Sequence, residues 1–383
     1  MEDLAWLLAQ HDRLVALRRE FHAHPEIAFE EEWTADRLSG LLSGLGCRIS
    51  RRIGGTGFVA TLPGGDGPAV ALRTDMDALP QDEATGLAYT STRPGRMHAC
   101  GHDGHMVLLL ATAELLAGGP ALPGPVHFIC QPAEETGRGA EAMMADGLFD
   151  EIAPALTFGY HNWPGLPLGV VSGREGPIMA AYRKLGYHIE GRGGHAAMPQ
   201  HCSPLYAAMA RLILLTGERI AAELPATAFA FTQNHGSVAA NIIPASLTLS
   251  GSFRFLVPDE GRLVQDILAD CAARVAAEFG TRVTPFSERV FDVTANHGAV
   301  VDAVRRIEGP LSWREAAAPS MVSEDFGSMI RDRRGCYVWL GAGEDRPALH
   351  TTSFDFHDAL LLTAPAHLAA VLRRASMSEA SKA

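Results

Sequence analysis

The fold of this chain is indicated first by the stretch AVALRTDMD, residues 69–77, a largely apolar run that ends in two carboxylates. A short run of this kind, bounded by Gly, Pro and polar residues, is typical of a buried strand. Two similar runs follow at 126–130 and 156–160. A helical pattern at 106–116 lies between the opening run and the run at 126–130. Strands that alternate with helices predict an α/β sheet with helices on both faces.

The middle of the chain has a different order of elements. The sequence there predicts six elements in the order β-α-β-β-α-β. They lie at 183–190, 204–222, 227–233, 245–255, 260–279 and about 281–287. This order is ferredoxin-like, and at roughly 110 residues the segment is long enough to form a domain. The α/β pattern then returns. We therefore predict one domain of residues 1–178 and 293–383, an inserted domain of residues 179–292, and a cleft between them.

Composition and charge exclude several classes of protein. The 383 residues are 47% hydrophobic and 20% charged, which excludes a disordered or fibrous chain. The formal charge of −12 argues against nucleic acid and anionic membranes as partners. The first residues lack a signal-peptide pattern and no long apolar run follows, so we expect a cytoplasmic protein without a membrane span. The six scattered cysteines are expected to be reduced.

Polar side chains follow the three buried strands of the first domain. Asp75 and Asp77 follow the first, Glu134 and Glu135 the second, and His161 ends the third. In an open α/β sheet the ligand site lies beyond the carboxyl ends of the strands, so these groups are expected to converge. Singly, each has an ordinary explanation, such as a solvated acid or a structural histidine. Their shared placement favours a metal site.

The segment CGHDGH, residues 100–105, adds thiol, imidazole and carboxylate groups in a predicted loop before the helix that starts near Met106. Together these ligand types suit zinc and tolerate manganese, cobalt or nickel. The adjacent Glu134 and Glu135 favour a division of roles, in which one binds a metal ion and the other accepts a proton from water. No P-loop or dinucleotide fingerprint is present at the first strand and helix, which argues against a nucleotide enzyme.

Longer motifs make a resemblance specific. They are spread in order over essentially the whole chain: ALRTDMDALP (71–80), MHACGHDGH (97–105), QPAEE (131–135), HNWP (161–164), GRGGHAAMP (191–199), NIIP (241–244) and SEDF (323–326). The chain resembles the dinuclear-metal amidohydrolases of the aminoacylase and glutamate carboxypeptidase metallopeptidase family. Within it, the branch of hippurate hydrolase and the auxin-conjugate (indole-acetyl-amino-acid) hydrolases is the most similar. The resemblance implies an α/β/α catalytic domain with an inserted ferredoxin-like domain that acts as a lid and in dimerisation.

The resemblance also implies two divalent metal ions per subunit, zinc or manganese, with cobalt or nickel possible. The implied ligands are Cys100, His102, Glu135, His161 and His350. His350 lies in LHTTSF, where the family usually has a proline at the position of Thr352, and His357 is a weaker alternative ligand. Glu134 becomes the general base. Asp75 and Asp77 are expected to orient a ligand or a loop, and Asp103 is a further candidate for such a role.

Three residues of the inserted domain are implicated by the same resemblance. His195 is expected to stabilise the oxyanion of the reaction, often at the site of a partner subunit. Asn241 and Arg254 are expected to contact the substrate, with Arg254 holding a free carboxylate in a bidentate contact. On sequence alone, His195 could equally be a turn histidine and Arg254 a surface arginine. The implied assembly is a homodimer through the inserted domain.

The predicted reaction is hydrolysis of the amide bond of an N-acyl amino acid, such as a hippurate-like or N-acetyl compound. Deacetylation of N-acetyl-diaminopimelate and cleavage of a dipeptide by a dipeptidase or carboxypeptidase use the same chemistry and stay open. A second class is a cysteine hydrolase with Cys100 as nucleophile and His102 or His105 as base. A third is a catalytically silent amino-acid-binding protein. The intact Glu134 argues against this third class.

Overall fold

The computed structural model describes residues 2–50, 52–237 and 239–377. The strands within these residues are, in chain order, β1 Arg48–Ile49, β2 Phe58–Leu62, β3 Val70–Asp75, β4 Val126–Gln131, β5 Leu156–Trp163, β6 Val170–Gly173, β7 Gly176–Met179, β8 Ala181–Glu190, β9 Gly194–His195, β10 Ala228–His235, β11 Ile242–Ile243, β12 Ser246–Phe255, β13 Arg282–Phe291, β14 Thr294–Asn296, β15 Ser312–Glu315 and β16 Gly335–Gly341. The α-helices are α1 Glu2–Ala23, α2 Glu32–Gly44, α3 His102–Ala117, α4 Gly139–Ala145, α5 Leu148–Glu151, α6 Leu205–Glu223, α7 Glu260–Phe279, α8 Gly298–Arg305, α9 Phe326–Ile330 and α10 Ala364–Met377. Short 3-10 helices lie at Glu134–Thr136, Pro199–His201 and Asp358–Leu362.

The chain divides into two compact units. The larger consists of Met1–Ile178, Thr294–Ala318 and Glu324–Ala383, and the smaller of Met179–Val293 and Pro319–Ser323. The short second segment belongs to the smaller unit because the amide of Ala180 donates to the carbonyl oxygens of Ser320 and Val322, at 3.1 and 3.0 Å. Every helix of the described residues is too short or too polar to span a bilayer.

The larger unit is built on a mixed sheet with the strand order β1-β2-β4-β3-β5-β16-β6-β15. All six residues of β3 are buried, as expected for a central strand flanked by parallel neighbours on both sides. Helices α3 and α10 pack against β3, and α8 and α9 pack against β16. This arrangement confirms the predicted α/β class. Strands β3, β4 and β5 run parallel, so their carboxyl ends share one edge of the sheet.

The smaller unit has its own sheet, in the order β10-β12-β8-β13, with every pair antiparallel. Helices α6 and α7 pack against this sheet and against each other. The apolar side chains between helices and sheet form a separate core, which includes Leu185, Tyr187, Leu212, Phe253 and Ile267. The order of elements and strands is that of the predicted ferredoxin-like β-α-β-β-α-β fold.

One boundary that matters for the site differs from the sequence-based expectation. Helix α3 begins at His102, four residues before the predicted start near Met106. Gly101 precedes it in the left-handed region, at φ +97°, and a Cβ there would lie 2.3 Å from Oδ1 of Asn162. Only glycine fits this junction, so the chain can turn sharply into the helix. His102 and His105 therefore lie on the first turn of a helix and not in a loop.

Candidate metal centre

The five predicted ligands lie together at the carboxyl edge of the larger unit's sheet. They come from the segment before α3, the first residue of α3, the 3-10 helix after β4, the end of β5, and the segment after β16: Cys100, His102, Glu135, His161 and His350, respectively. Sγ of Cys100 lies 3.2 Å from Nε2 of His161 and 3.3 Å from Nε2 of His350. Nε2 of His350 lies 3.4 Å from Oε2 of Glu135.

The donor atoms form two sets that share Cys100. One set is Cys100, His102 and His161, the other is Cys100, Glu135 and His350, and within each set the atoms lie within 4.8 Å of one another. The five side chains would hold two ions rather than one, and Cys100 is the residue common to both donor sets. The mixture of sulfur, imidazole nitrogen and carboxylate oxygen suits zinc and similar divalent metals.

The hydrogen bonds of the histidines prepare their ring nitrogens for a metal. Nδ1 of His102 donates to the carbonyl oxygen of Asp77 at 2.8 Å, and Nδ1 of His161 donates to the carbonyl oxygen of Asn162 at 2.7 Å. In the neutral form of each ring, Nε2 is therefore unprotonated and faces the centre, where a metal cation can take the place of a proton. Among the described residues, Nε2 of His102 and Oε1 of Glu135 are buried without a hydrogen-bond partner. Unpaired buried acceptors are costly unless a ligand satisfies them, so the residues fit a metal cation.

The electrostatics of the centre also favour a cation. Burial lowers the pKa of His102, but Asp75 and Asp77 outweigh burial and raise it to about 10. Burial and the carboxylates of Glu135 and Glu134 raise the pKa of the Cys100 thiol well above its usual range. A positive charge is therefore stabilised here, and a metal ion would be needed to hold Cys100 as a thiolate at neutral pH.

The two adjacent glutamates have different surroundings. Burial raises the pKa of Glu135, but the imidazoles of His350 and His102 outweigh burial and lower it. Burial and the carboxylates of Glu324 and Glu135 raise the pKa of Glu134 well above its usual range. Groups whose environments push their pKa values apart suit different roles. Glu135 is suited to bind a cation, and Glu134 is suited to accept and release a proton.

Asp77 and Asp75 hold parts of the centre in place. The carboxylate of Asp77 accepts hydrogen bonds from the amides of Glu134 and Glu135, both at 3.0 Å, while its carbonyl orients His102. Asp75 accepts from Nδ1 of His105 at 2.7 Å and from Arg73 at 2.8 Å. Asp103 is directed elsewhere, toward Arg18 and His22.

His105 also lies in the centre, although it is not among the five predicted ligands. Its Nδ1 bonds to Asp75, and its Nε2 lies 2.6 Å from Oδ1 of Asn162. Both ring nitrogens are therefore engaged, which leaves His105 unavailable as a base for a Cys100 nucleophile. Its position at i+3 from His102 on one helix face is the sequence signal that could have placed it here.

A buried group around Arg73 lies beside Glu134. The guanidinium contacts Asp75, Glu324 and Asp325 at 2.8, 2.9 and 3.0 Å, and its side chain is fully buried. Oxygen atoms of Glu134, Glu324 and Asp325 lie within 4.8 Å of one another. The SEDF motif marked residues 323–326 in the sequence, but no local pattern showed that they would meet Arg73 from β3.

His357, the alternative ligand, has another contact. It precedes the 3-10 helix Asp358–Leu362, and its Nδ1 accepts a hydrogen bond from the amide of Ala359 at 3.2 Å. His350, by contrast, directs Nε2 at Cys100, and its backbone takes the left-handed conformation, at φ +63°. Thr352, at the usual proline position, accepts a hydrogen bond from the amide of Ala84 through its carbonyl oxygen.

The other three predicted residues belong to the smaller unit. His195 and Asn241 are close together, because Ile242 pairs with His195 between β11 and β9 and the carbonyl of Asn241 accepts from Ala196 at 3.0 Å. Both are exposed. Arg254, on β12, is half-buried and donates through Nη1 to Ser323 Oγ at 2.8 Å and to the carbonyl of Met321 at 3.0 Å.

Comparisons with known proteins find relatives that are similar over most of the chain. The hippurate hydrolase of Campylobacter jejuni subsp. jejuni is 32% identical over 362 residues, covering 92% of this chain and 94% of the relative. The N-acetylcysteine deacetylase of Bacillus subtilis is 32% identical over 340 residues, covering 87% of this chain and 89% of the relative.

A solved structure is similar over nearly the whole length. It is the Bacillus subtilis YXEP protein, described as a dinuclear metal binding peptidase from the M20 family. It is 28% identical, covers 97% of this chain and 99% of its own, and superposes with a TM-score of 0.83. The profile of peptidase family M20/M25/M40 matches residues 71–374. The chain therefore belongs to peptidase family M20/M25/M40.

Proposed function

We propose that this chain is a metal-dependent amidohydrolase that cleaves the amide bond of N-acyl amino acids, hippurate-like or N-acetyl compounds among them. The observation that carries the proposal is the convergence of Cys100, His102, Glu135, His161 and His350 in two donor sets beside a second carboxylate, Glu134, which lies within 4.8 Å of donor atoms of His102 and Glu135. Two relatives, a hippurate hydrolase and an N-acetylcysteine deacetylase, act on compounds of this class, as their names state. We propose two divalent cations, zinc or manganese, with cobalt or nickel as alternatives.

Bound by these ligands, divalent cations would polarise the scissile carbonyl and lower the pKa of water. Glu134 accepts the proton of the attacking water on its carboxylate and returns it to the amine nitrogen as the amide bond breaks. The amide carbonyl carbon gains the hydroxyl oxygen, and the products are a carboxylic acid and a free amino acid. Asp77 keeps Glu134 in position through the backbone amides of residues 134 and 135.

The smaller unit is proposed to supply the substrate contacts. Nδ1 of His195 accepts a hydrogen bond from the amide of Ala197 at 3.1 Å, so a neutral His195 carries its proton on Nε2. This exposed N–H is available to stabilise an oxyanion. Arg254, whose guanidinium also lies 4.8 Å from the centre of the Tyr182 ring, is proposed to bind the substrate carboxylate together with Asn241.

The same chemistry covers the related alternatives, a diaminopimelate-type deacetylase and a dipeptidase or carboxypeptidase. The cysteine-hydrolase alternative is disfavoured, because Cys100 is buried among carboxylates that raise the pKa of its thiol. A thiol nucleophile is instead favoured by a lowered pKa, which the Cys100 thiol does not have.

The test is the Glu134→Gln variant, assayed on hippurate and on N-acetyl amino acids after loading with metal. We expect turnover to fall by about 10²–10⁴-fold, because the amide cannot accept the proton. Bound metal, measured by elemental analysis, should stay at the wild-type level. Glu30→Gln is the matched control, since Glu30 is a surface residue paired with Arg96. Wild-type turnover in Glu134→Gln would refute the proposal.

We further propose a cytoplasmic homodimer joined through the smaller unit. Helix α6 supports this, because Tyr206, Ile213 and Leu214 are exposed on it at 47%, 38% and 60%. Large apolar side chains grouped on one helix are typical of an interaction surface. Sedimentation at micromolar concentration tests the assembly, and a monomer with full activity would exclude it.

A further inference from the structure

We propose that Glu31 is a positioning residue for this reaction: with Thr56, it holds the backbone of Ala133 and thereby directs the side chain of Glu134. The inference rests on the proposed function, because it concerns the placement of the proposed general base. Glu31 itself lies outside both donor sets of the metal centre.

Glu31 stands out from its neighbours in the run of three glutamates, residues 30–32. The side chains of Glu30 and Glu32 are 53% and 67% exposed, and they form surface ion pairs with Arg96 and Arg52, respectively. Glu31 is 0% exposed. A carboxylate is rarely buried completely unless each oxygen has a partner, so its contacts need an explanation.

Both oxygens of Glu31 bind segments that are distant in the chain. Oε1 accepts a hydrogen bond from the amide of Ala133 at 2.9 Å, and Oε2 accepts one from Oγ1 of Thr56 at 2.5 Å. The contact with Thr56 fixes the carboxylate, and the contact with Ala133 fixes the residue that immediately precedes Glu134. Glu31 thus connects the start of α2 to the segment that carries the proposed base.

Ala133 is a position where the backbone needs such a partner. It takes the left-handed conformation, at φ +53° and ψ +36°, which residues other than glycine adopt rarely and at an energetic cost. It is also completely buried, so its amide cannot turn to water. Without Glu31 this amide loses its partner, and relaxing Ala133 toward a usual conformation would rotate the chain at Glu134.

The amides of three successive residues are held in this way. Glu31 binds the amide of Ala133, and Asp77 binds the amides of Glu134 and Glu135, at 3.0 Å each. Because each of these amides has a buried carboxyl oxygen as its partner, the backbone of residues 133–135 is restrained. Asp77 also orients His102, so its removal would disturb a metal ligand directly. The hydrogen bonds of the Glu31 side chain go to Ala133 and Thr56 and to none of the proposed ligands, so its removal disturbs the glutamate segment without removing a contact to a ligand.

The experiment compares Glu31→Ala with Glu31→Gln in the metal-loaded protein. Glutamine can accept from Ala133 through its amide oxygen and donate to Thr56 through its amide nitrogen, whereas alanine does neither. We expect Glu31→Ala to lower kcat by about 10²-fold with bound metal unchanged, since small displacements of a catalytic group have effects of this size. Glu31→Gln should stay within about threefold of wild type, because it keeps both hydrogen bonds.

A matched control separates positioning from general destabilisation. Glu26 is also buried and accepts a hydrogen bond from the amide of Thr34 at 2.9 Å in the same helix, α2. Glu26→Ala should therefore lower thermal stability as Glu31→Ala does, yet leave kcat near wild type. A readout independent of activity is hydrogen exchange at the amides of residues 133–135, which we expect to accelerate in Glu31→Ala and not in Glu26→Ala.

The outcomes distinguish this inference from the proposed function. If the wild-type protein hydrolyses no N-acyl amino acid, the proposed function fails, while the exchange measurement still tests the backbone restraint. Equal losses of kcat in Glu31→Ala and Glu31→Gln, or in Glu31→Ala and Glu26→Ala, would overturn the positioning role. If Glu31→Ala does not fold, Thr56→Val replaces it, with an expected loss of kcat of about threefold to tenfold; an unchanged kcat there would overturn the role.

Discussion

Two buried polar clusters meet at the first turn of α3, and they differ in how their charges are balanced. The metal centre includes His102. The second cluster, which we call the Arg18 network, consists of Arg18, His22, Asp103, Asp355 and Asp358. Consecutive residues of the chain, His102 and Asp103, thus point into different clusters.

In the Arg18 network the chain supplies its own cation. Arg18 is completely buried, and its guanidinium lies 2.8 Å from both Asp355 and Asp358 and 3.4 Å from Asp103. His22 binds Asp103 at 2.8 Å through Nδ1. The acidic groups therefore find their positive partners within the fold.

In the metal centre the acidic and sulfur groups converge with imidazoles, and no lysine or arginine is among the residues that supply the two donor sets. Nε2 of His102 and Oε1 of Glu135 have no hydrogen-bond partner among the described residues, but the same is true of Oδ1 of Asp103 in the Arg18 network, so the clusters differ in the groups they bring together. The difference teaches that a buried cluster with an arginine of its own serves the fold, while one that gathers thiol, imidazole and carboxylate donors without an arginine or lysine is arranged for a cation from solution.

The largest expected effect is at the metal centre. Glu135→Ala should reduce bound metal below the wild-type amount and lower activity by about 10³-fold or more, since the cations supply most of the activation of water and carbonyl. Elemental analysis and kcat measure the two effects. Because the ligand is removed and the Arg18 network is not, the unfolding free energy of the metal-free protein should change little. Full metal stoichiometry in Glu135→Ala would contradict its role as a ligand.

The second largest expected effect is a loss of stability when the Arg18 network is altered. Arg18→Met should lower the unfolding free energy by about 3–5 kcal/mol, because it removes a fully buried cation from the buried Asp103 and the partly buried Asp355 and Asp358. Arg19→Met is the matched control: Arg19 lies over the same Tyr89 ring and binds Asp358, but its side chain is 44% exposed. We expect the control to lose about 1 kcal/mol or less in urea unfolding.

Metal bound per folded chain should be the same in Arg18→Met as in the wild type. A similar loss of stability in the two arginine variants would show that the Arg18 network is not held by its buried cation. A loss of metal in Arg18→Met alone would show that the two clusters are not separate, since Asp103 and His102 are adjacent.

The smallest expected effect is a pH dependence of the unfolding free energy that arises in the Arg18 network, through His22. Burial lowers the pKa of His22, but hydrogen bonds to Asp103 and Glu83 outweigh burial and raise it to about 9. A group with a raised pKa stabilises the fold fully below its unfolded-state pKa of about 6.5 and loses that contribution as the pH rises through 9. The contribution amounts to at most about 3–4 kcal/mol, at about 1.4 kcal/mol per pKa unit.

Urea unfolding of the wild type and of His22→Gln between pH 6 and 9.5 measures this contribution. The difference in unfolding free energy between the two proteins should be largest near pH 6 and shrink toward pH 9. A difference that stays constant over this range would mean that His22 is not protonated in the fold.

Much of the fold was predictable from the sequence, because it depends on local patterns. The buried runs at β3, β4 and β5 and the helices between them follow from apolar periodicity and from bounding Gly and Pro residues. The rule that parallel strands share a carboxyl edge then brought Asp75, Glu134 and His161 to one place. The β-α-β-β-α-β order of the smaller unit was visible for the same reason.

The choice among similar residues was decided only by tertiary structure. Three glutamates follow one another at 30–32, and nothing local shows that the middle one is buried against Ala133 and Thr56. The start of α3 depends on a close approach of Gly101 to Asn162, 61 positions away in the chain. The sequence by itself determined which chemical groups are present and which element carries each. Burial and hydrogen-bond partners depend on segments far apart in the chain, so only the folded protein decides which of these groups meet a metal, an arginine or the backbone.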